Sequence, residues 1–208
     1  MKDTYKTIEQ DSEETLFKDK NSKFYGYAFA IETEEELKEK IEVLKKKHHT
    51  ARHFCYAYQL GKEYENYRTN DDGEPNNSAG MPIYGQLQSF DVTNIAVVVV
   101  RLFGGVKLGV SGLINAYKTS AQITLETATI VEKTIDESFI IKFEYKNLNK
   151  VMRIIKEKEL DIVSQTMELS CEIIVSCRKK HFNDVLLQFK ELHVIEVKKF
   201  ELNFIQNI

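Results

Sequence analysis

Apolar positions recur in two rhythms along this chain, and the rhythms predict its elements. Residues 95–102, Ile-Ala-Val-Val-Val-Val-Arg-Leu, form an apolar run interrupted only by Arg101. Such a run predicts a central strand covered on both faces. Residues 23–31 are rich in aromatics and predict another strand. Between 34 and 48, Leu37, Ile41 and Leu44 recur at helical spacing, with acidic residues in the first turn and lysines in the last. That charge order suits a helix macrodipole. Residues 54–60 and 64–69 predict a hairpin turning at Gly61-Lys62. Residues 70–79 have the composition of an exposed loop and 81–89 predict a short helix. After the central strand, a glycine-rich loop over 103–112 leads into a helix ending near Thr129.

Beyond residue 135 the pattern alternates evenly. Phe139, Ile141, Phe143 and Tyr145 share one side of a predicted strand, and Leu148, Val151, Met152 and Ile155 mark a helix. Strands over 161–169 and 171–177 follow, then a helix carrying Phe182, Val185, Leu186, Phe189 and Leu192, then a strand over 194–204. The order β-α-β-β-α-β is the split βαβ, ferredoxin-like pattern. Punctuation changes at the same place: all nine glycines fall from Gly26 to Gly112, and both prolines, Pro75 and Pro82, lie inside that span. The expectation is an α+β protein of two domains, 1–135 and 136–208.

Charge and composition narrow the function classes. The chain is 208 residues with a formal net charge of −3, and residues 1–135 carry 17 Lys/Arg against 20 Asp/Glu. Nucleic acid binding therefore needs a local basic patch, because affinity for phosphates comes from Lys/Arg placement and counterion release. No apolar run approaches the ~20 residues that span a bilayer, and the first residues lack a secretory pattern. Three cysteines, Cys55, Cys171 and Cys177, show no Cys-x-x-Cys pair. That argues against a disulfide framework or a zinc site and for a reducing cytoplasm. No cofactor is expected.

Two segments carry candidate chemistry. Arg101-Leu-Phe-Gly-Gly-Val-Lys-Leu-Gly-Val-Ser-Gly112 lies between a buried strand and a helix. Its glycines permit positive φ and close approach to the main chain, and the helix start beyond it presents unpaired N–H groups, a natural anion site. Arg101 and Lys107 flank it with positive charge. The spacing is neither Gly-x-Gly-x-x-Gly nor a Walker loop, so no nucleotide cofactor is indicated; a tight crossover whose glycines serve packing is the alternative. The second segment is Asp71-Asp-Gly-Glu-Pro-Asn-Asn-Ser-Ala-Gly80. Its three carboxylates suit a cation or acid–base chemistry, but the alternation and distal Glu of a calcium loop are missing. Asp-Gly and Glu-Pro are also turn formers. His48 and His49 close a lysine-rich helix end, and His53 opens a strand beside Arg52 without a third group to orient it toward Cys55. No serine sits in a Gly-x-Ser-x-Gly elbow. Lys45-Lys-Lys-His-His and Arg178-Lys-Lys-His are short basic runs of the kind found at solvated helix ends.

Assembled, these residues resemble the IMPACT/YigZ family. The carriers are Ser22-Lys-Phe24, Ala51-Arg-His53, Asp71-Asp-Gly-Glu-Pro75, Ala79-Gly80, Phe103-Gly-Gly-Val-Lys-Leu-Gly109, and Gly112-Leu with Ala116-Tyr117. The resemblance implies a first domain similar to the second domain of ribosomal protein S5. It implies a ferredoxin-like second domain similar to the last domain of elongation factor G. Eukaryotic relatives are translational regulators that oppose activation of an amino-acid-starvation kinase, and for bacterial members RNA or ribosome binding is the usual proposal. The chain departs from the family pattern at Leu102, where an aromatic is common, at Ser111, commonly glycine, and at Asn115, commonly arginine. The last change removes a positive charge near the helix start.

The leading expectation is a non-enzymatic, translation-associated protein that binds RNA or the ribosome. Arg101, Lys107, Arg52 and the main chain at Gly104, Gly105, Gly109 and Gly112 would contact phosphates, with Phe103 and Tyr117 supporting the surface or stacking on a base. Asp71, Asp72, Gly73, Glu74, Pro75 and Gly80 form the signature loop. The alternatives are a regulator docking a protein partner through that acidic loop, and a metal-assisted hydrolase using Asp71, Asp72, Glu74 and His53.

Overall fold

The computed structural model describes residues 3–200. It divides into two compact units, Thr4–Lys133 and the chain from Thr134 onward together with Asp3. Each is α+β, as the sequence predicts.

The first unit runs β1 (Thr4–Ile8), β2 (Thr15–Asp19), β3 (Ser22–Ala30), α1 (Glu34–Lys47), β4 (His53–Leu60), β5 (Asn66–Asn70), α2 (Gly80–Phe90), β6 (Ile95–Leu102), α3 (Gly109–Thr127) and β7 (Ile130–Thr134). Five strands form one antiparallel sheet in the order β2-β3-β6-β4-β5, while β1 pairs with β7. The apolar run is the central strand, and both its faces are covered. Ile95, Val97 and Val99 pack with Ile83 and Leu87 of α2 and Ala116, Tyr117, Ala121 and Leu125 of α3. Ala96, Val98 and Val100 face Leu37 and Leu44 of α1 across a layer of aromatics from β3 and β4. Period-2 alternation on one strand thus builds two cores.

Helix α1 begins where the hydroxyl of Thr33 accepts the N–H of Glu36 (3.3 Å). Its acidic first turn and lysine last turn reinforce it. The hairpin turn is longer than expected, since β5 starts only at Asn66. Strands β1, β2 and β7 were not evident from the pattern.

The second unit runs β8 (Asp136–Glu144), a 3-10 turn (Tyr145–Asn147), α4 (Leu148–Glu157), β9 (Asp161–Thr166), β10 (Ser170–Arg178), α5 (Lys179–Lys190) and β11 (Ile195–Phe200). Its antiparallel sheet has the order β11-β8-β10-β9, the ferredoxin-like arrangement. Phe139, Ile141, Phe143, Cys171, Ile173 and Val175 meet Val151, Ile155, Phe182, Val185 and Phe189 in one core. Tyr145, expected on the strand, is exposed in the turn after it. The strand expected to reach Leu169 stops at Thr166, and of the strand expected over 194–204 the part beyond Phe200 lies outside the described residues. Edge strand β9 is exposed at every position, and its register with β10 shifts between Ile174 and Val175. Among the described residues no helix is long and apolar enough to cross a membrane.

Candidate functional site

The acidic segment is a structured turn, as its turn formers suggest, with Asp72, Gly73, Pro75, Asn76 and Asn77 exposed, and Asp71 organises it. Its Oδ1 accepts the N–H groups of Ala79 (2.9 Å) and Gly80 (2.8 Å), and its Oδ2 accepts that of Asn77 (2.8 Å). Ala79, the residue at the cap of α2, has no side chain able to do this. Asp71 therefore caps α2 from eight residues upstream. Asp72 is engaged as well: its Oδ2 accepts the N–H of Phe54 (2.7 Å), and its backbone carbonyl lies 2.9 Å from His53 Nδ1. Ser78 closes the turn onto the Pro75 carbonyl through both its hydroxyl (2.6 Å) and its N–H (3.0 Å). Replacing Asp71 by alanine is expected to lower the unfolding free energy by about 2 kcal/mol, as for lost caps and charge-assisted bonds. Urea denaturation measures this, and a loss below ~0.5 kcal/mol would mean the turn is held without the cap.

Glu74, the third carboxylate, points inward. Its Oε1 accepts Arg101 Nη1 at 2.7 Å and the Tyr117 hydroxyl at 2.7 Å, and both charged side chains are almost wholly buried. Cys55 Sγ lies 3.3 Å from the Tyr117 oxygen and 3.0 Å from the Asp71 carbonyl. Burial, the largest cause for each, pushes the Cys55 thiol and the Tyr117 phenol far up, so both stay protonated and act as donors. A thiol so held is not a nucleophile. The Arg101 guanidinium lies 5.6 Å from the Phe24 ring and 5.5 Å from the Phe103 ring.

Two sequence expectations are corrected here. Arg101 is 5% exposed and bound to Glu74, so it is not a mobile flanking charge. Tyr117 is wholly buried and cannot stack on a base. The cause is shared: a guanidinium at the end of a strand covered on both faces requires a buried partner, and Glu74 supplies it.

The remaining site residues are on the surface. Phe103 is 57% exposed, and Gly105, Val106, Lys107 and Gly109 are exposed with it, while Gly104 and Gly112 are half-buried. Gly105 and Gly109 take positive φ (84° and 75°) and face open space, whereas the Gly104 N–H reaches the buried Ser22 hydroxyl at 3.1 Å. Gly109 and Gly112 belong to the first turn of α3, which has no side-chain cap. Arg52 is exposed just before β4. With Thr50, His53, Arg101, Leu102 and Phe103 it lines a cavity of about 500 Å³ that contains no carboxylate in its wall. His53 pairs directly with Arg101 across β4 and β6. The structure thus joins Arg52, Arg101 and Phe103 in one cavity and adds His53 and Thr50. Only their place at one end of the sheet, invisible to local pattern, connects them. Among the described residues no group of three or more His, Cys, Asp or Glu side chains suits a metal ion.

Comparison with known proteins converges on one family. The model of the Impact N-terminal domain matches residues 20–125, which include the turn, the buried network and the glycine-rich loop. The IMPACT family member YvyE of Bacillus subtilis is 33% identical over 159 residues, covering 76% of this chain and 73% of its own. YigZ of Escherichia coli, another IMPACT family member, is 31% identical over 147 residues, 70% of this chain and 72% of its own. A crystal structure of a hypothetical protein superposes with TM-score 0.72 over 98% of this chain and all of its own, at 23% identity, and so shares the fold. This chain belongs to the IMPACT family.

Proposed function

We propose that this IMPACT family protein is a non-catalytic, translation-associated protein that binds RNA through the face formed by residues 103–112 and Arg52. The observation that carries the reading is an exposed aromatic, Phe103, set between an open glycine-rich main chain with Lys107 and a carboxylate-free cavity with Arg52 at its rim. Positive side chains track phosphates while a free aromatic face accepts a base of any sequence. Accessible backbone N–H groups at an uncapped helix start add anion affinity. The family resemblance, whose eukaryotic members act in translation, supports the same direction. Such a role would put the protein in the cytoplasm with the ribosome. A protein-docking role for the acidic segment has less support, because Asp71, Asp72 and Glu74 all bond inward.

Co-sedimentation with ribosomes at low and moderate salt tests the reading. Arg52→Ala/Lys107→Ala is the informative variant, since both side chains are exposed and their loss leaves the core intact. The slope of log affinity against log salt is expected to fall by about one for each phosphate contact removed. Undiminished binding in the double variant would move the interface elsewhere, and absence of binding at both salts would end the ribosome reading.

A further inference from the structure

The geometry points to a more specific ligand for the cavity beside Phe103: we propose that it seats a terminal phosphate, a phosphomonoester carried by a base-bearing residue. The inference rests on the RNA reading above and narrows it to the end of a strand.

Arg101 supplies the first reason. Its Nη1 holds Glu74, but its Nε is buried without a hydrogen-bond partner while the residue lines the cavity. Buried N–H donors are nearly always satisfied, and an orphan marks a place where a ligand or water belongs. Glu74 and the rings of Phe24 and Phe103 hold the guanidinium in place in the cavity wall.

The cavity wall supplies the second. Arg52 brings a full positive charge at the rim and Thr50 a hydroxyl. His53 Nδ1 lies against the Asp72 carbonyl, an acceptor only, so Nδ1 carries the proton in that bond; Nε2 is then left to accept a P–O–H from the ligand in the neutral ring, or to donate to a phosphate oxygen in the imidazolium. The charged side chains of the wall are Arg52 and Arg101, the latter paired with Glu74 behind it, and with no carboxylate lining the cavity they suit an anion.

Shape supplies the third. A volume of about 500 Å³ is that of a small-molecule site and accepts a phosphate with its sugar. One side of the Phe103 ring meets the Arg101 guanidinium, and the side chain remains 57% exposed, which leaves area for a base. A monoester carries nearly two charges (about −1.5 to −2 near neutral pH) and three terminal oxygens. Convergent donors around a deep guanidinium match that better than a diester, which has one charge and a chain leaving on both sides.

The test is fluorescence anisotropy with one short oligoribonucleotide sequence ending in a 5′-phosphate, a 3′-phosphate or only hydroxyls, with adenosine monophosphate as competitor. One phosphorylated form is expected to bind about tenfold or more tighter than the hydroxyl form, the scale of several charge-assisted bonds. Arg52→Ala and Phe103→Ala, both at exposed positions, are each expected to reduce that preference at least severalfold. Equal binding of the three oligonucleotides would overturn the terminal-phosphate site while leaving the RNA reading standing. A preference that both variants leave intact would overturn the cavity assignment. Adenosine monophosphate binding in a direct calorimetric titration, with no oligonucleotide bound by anisotropy, would keep the monoester chemistry and remove the RNA reading. No binding by any probe would remove both.

Discussion

Arg101→Ala is expected to lower the stability of the Thr4–Lys133 unit by about 3–5 kcal/mol, the cost of leaving a buried charge without its partner. The change strands the Glu74 carboxylate beside Tyr117, with its side chain 5% exposed. Glu74→Gln is expected to cost less than alanine at either position, because an amide oxygen still accepts the Tyr117 hydroxyl. The guanidinium then keeps its ring contacts but loses its counter-charge. Arg101→Met combined with Glu74→Leu is expected to be less damaging than the sum of its two halves, with a coupling of about 0.5–3 kcal/mol for residues in one network. Nine of the ten tyrosines lie in this unit, so near-ultraviolet circular dichroism during denaturation reports on it selectively. Additive effects would show that the pair is not energetically coupled.

Two neighbouring glycines are expected to respond very differently to alanine. At Gly104 a Cβ would lie 2.0 Å from the Asn21 carbonyl carbon and 2.3 Å from both the Asn21 oxygen and the Ser22 nitrogen. These are main-chain atoms of the β2–β3 turn, where Lys20 and Asn21 already hold positive φ, so the obstacle cannot rotate away. Gly104→Ala is expected to cost about 3 kcal/mol or more, the upper range for overpacking. At Gly105 the added atom meets nothing within 4 Å, and the φ of 84° alone opposes it. Gly105→Ala is expected to cost about 1 kcal/mol. Thermal and urea denaturation of the two variants side by side measure the contrast, and equal losses would show that main-chain contact at Gly104 does not limit the fold.

The elements that could be read from the sequence are those whose own burial pattern identifies them. Residues 95–102 announced a strand covered on both faces, and Phe139, Ile141 and Phe143 announced a strand covered on one. Strands β1 and β7 gave no such signal because they exist by pairing with each other across more than a hundred residues, and β2 is a short edge strand with no fully buried position. The candidate site divides in the same way. Turn formers at 71–75 and the glycines after Phe103 were legible because their chemistry is local. The bond from Glu74 to Arg101 and Tyr117 was not, because it crosses 27 and 43 residues and a buried ion pair leaves no periodicity. Reading Glu74 and Arg101 as members of separate surface motifs followed directly from that silence.

The register shift in the second unit has a consequence for how molecules of this protein meet. Among the described residues strand β9 is an open ladder edge, and Ile162 and Val163 are both exposed on it. An edge of that composition is a template onto which another chain can add a strand. Ile174 pairs with Ser164 but Val175 pairs with Ile162, so Val163 is an extra residue that bulges out of the ladder. A bulge increases the local twist and breaks the even spacing of donors and acceptors. A second copy laid along β9 would lose its match halfway, so the fold guards its own border against stacking into fibres.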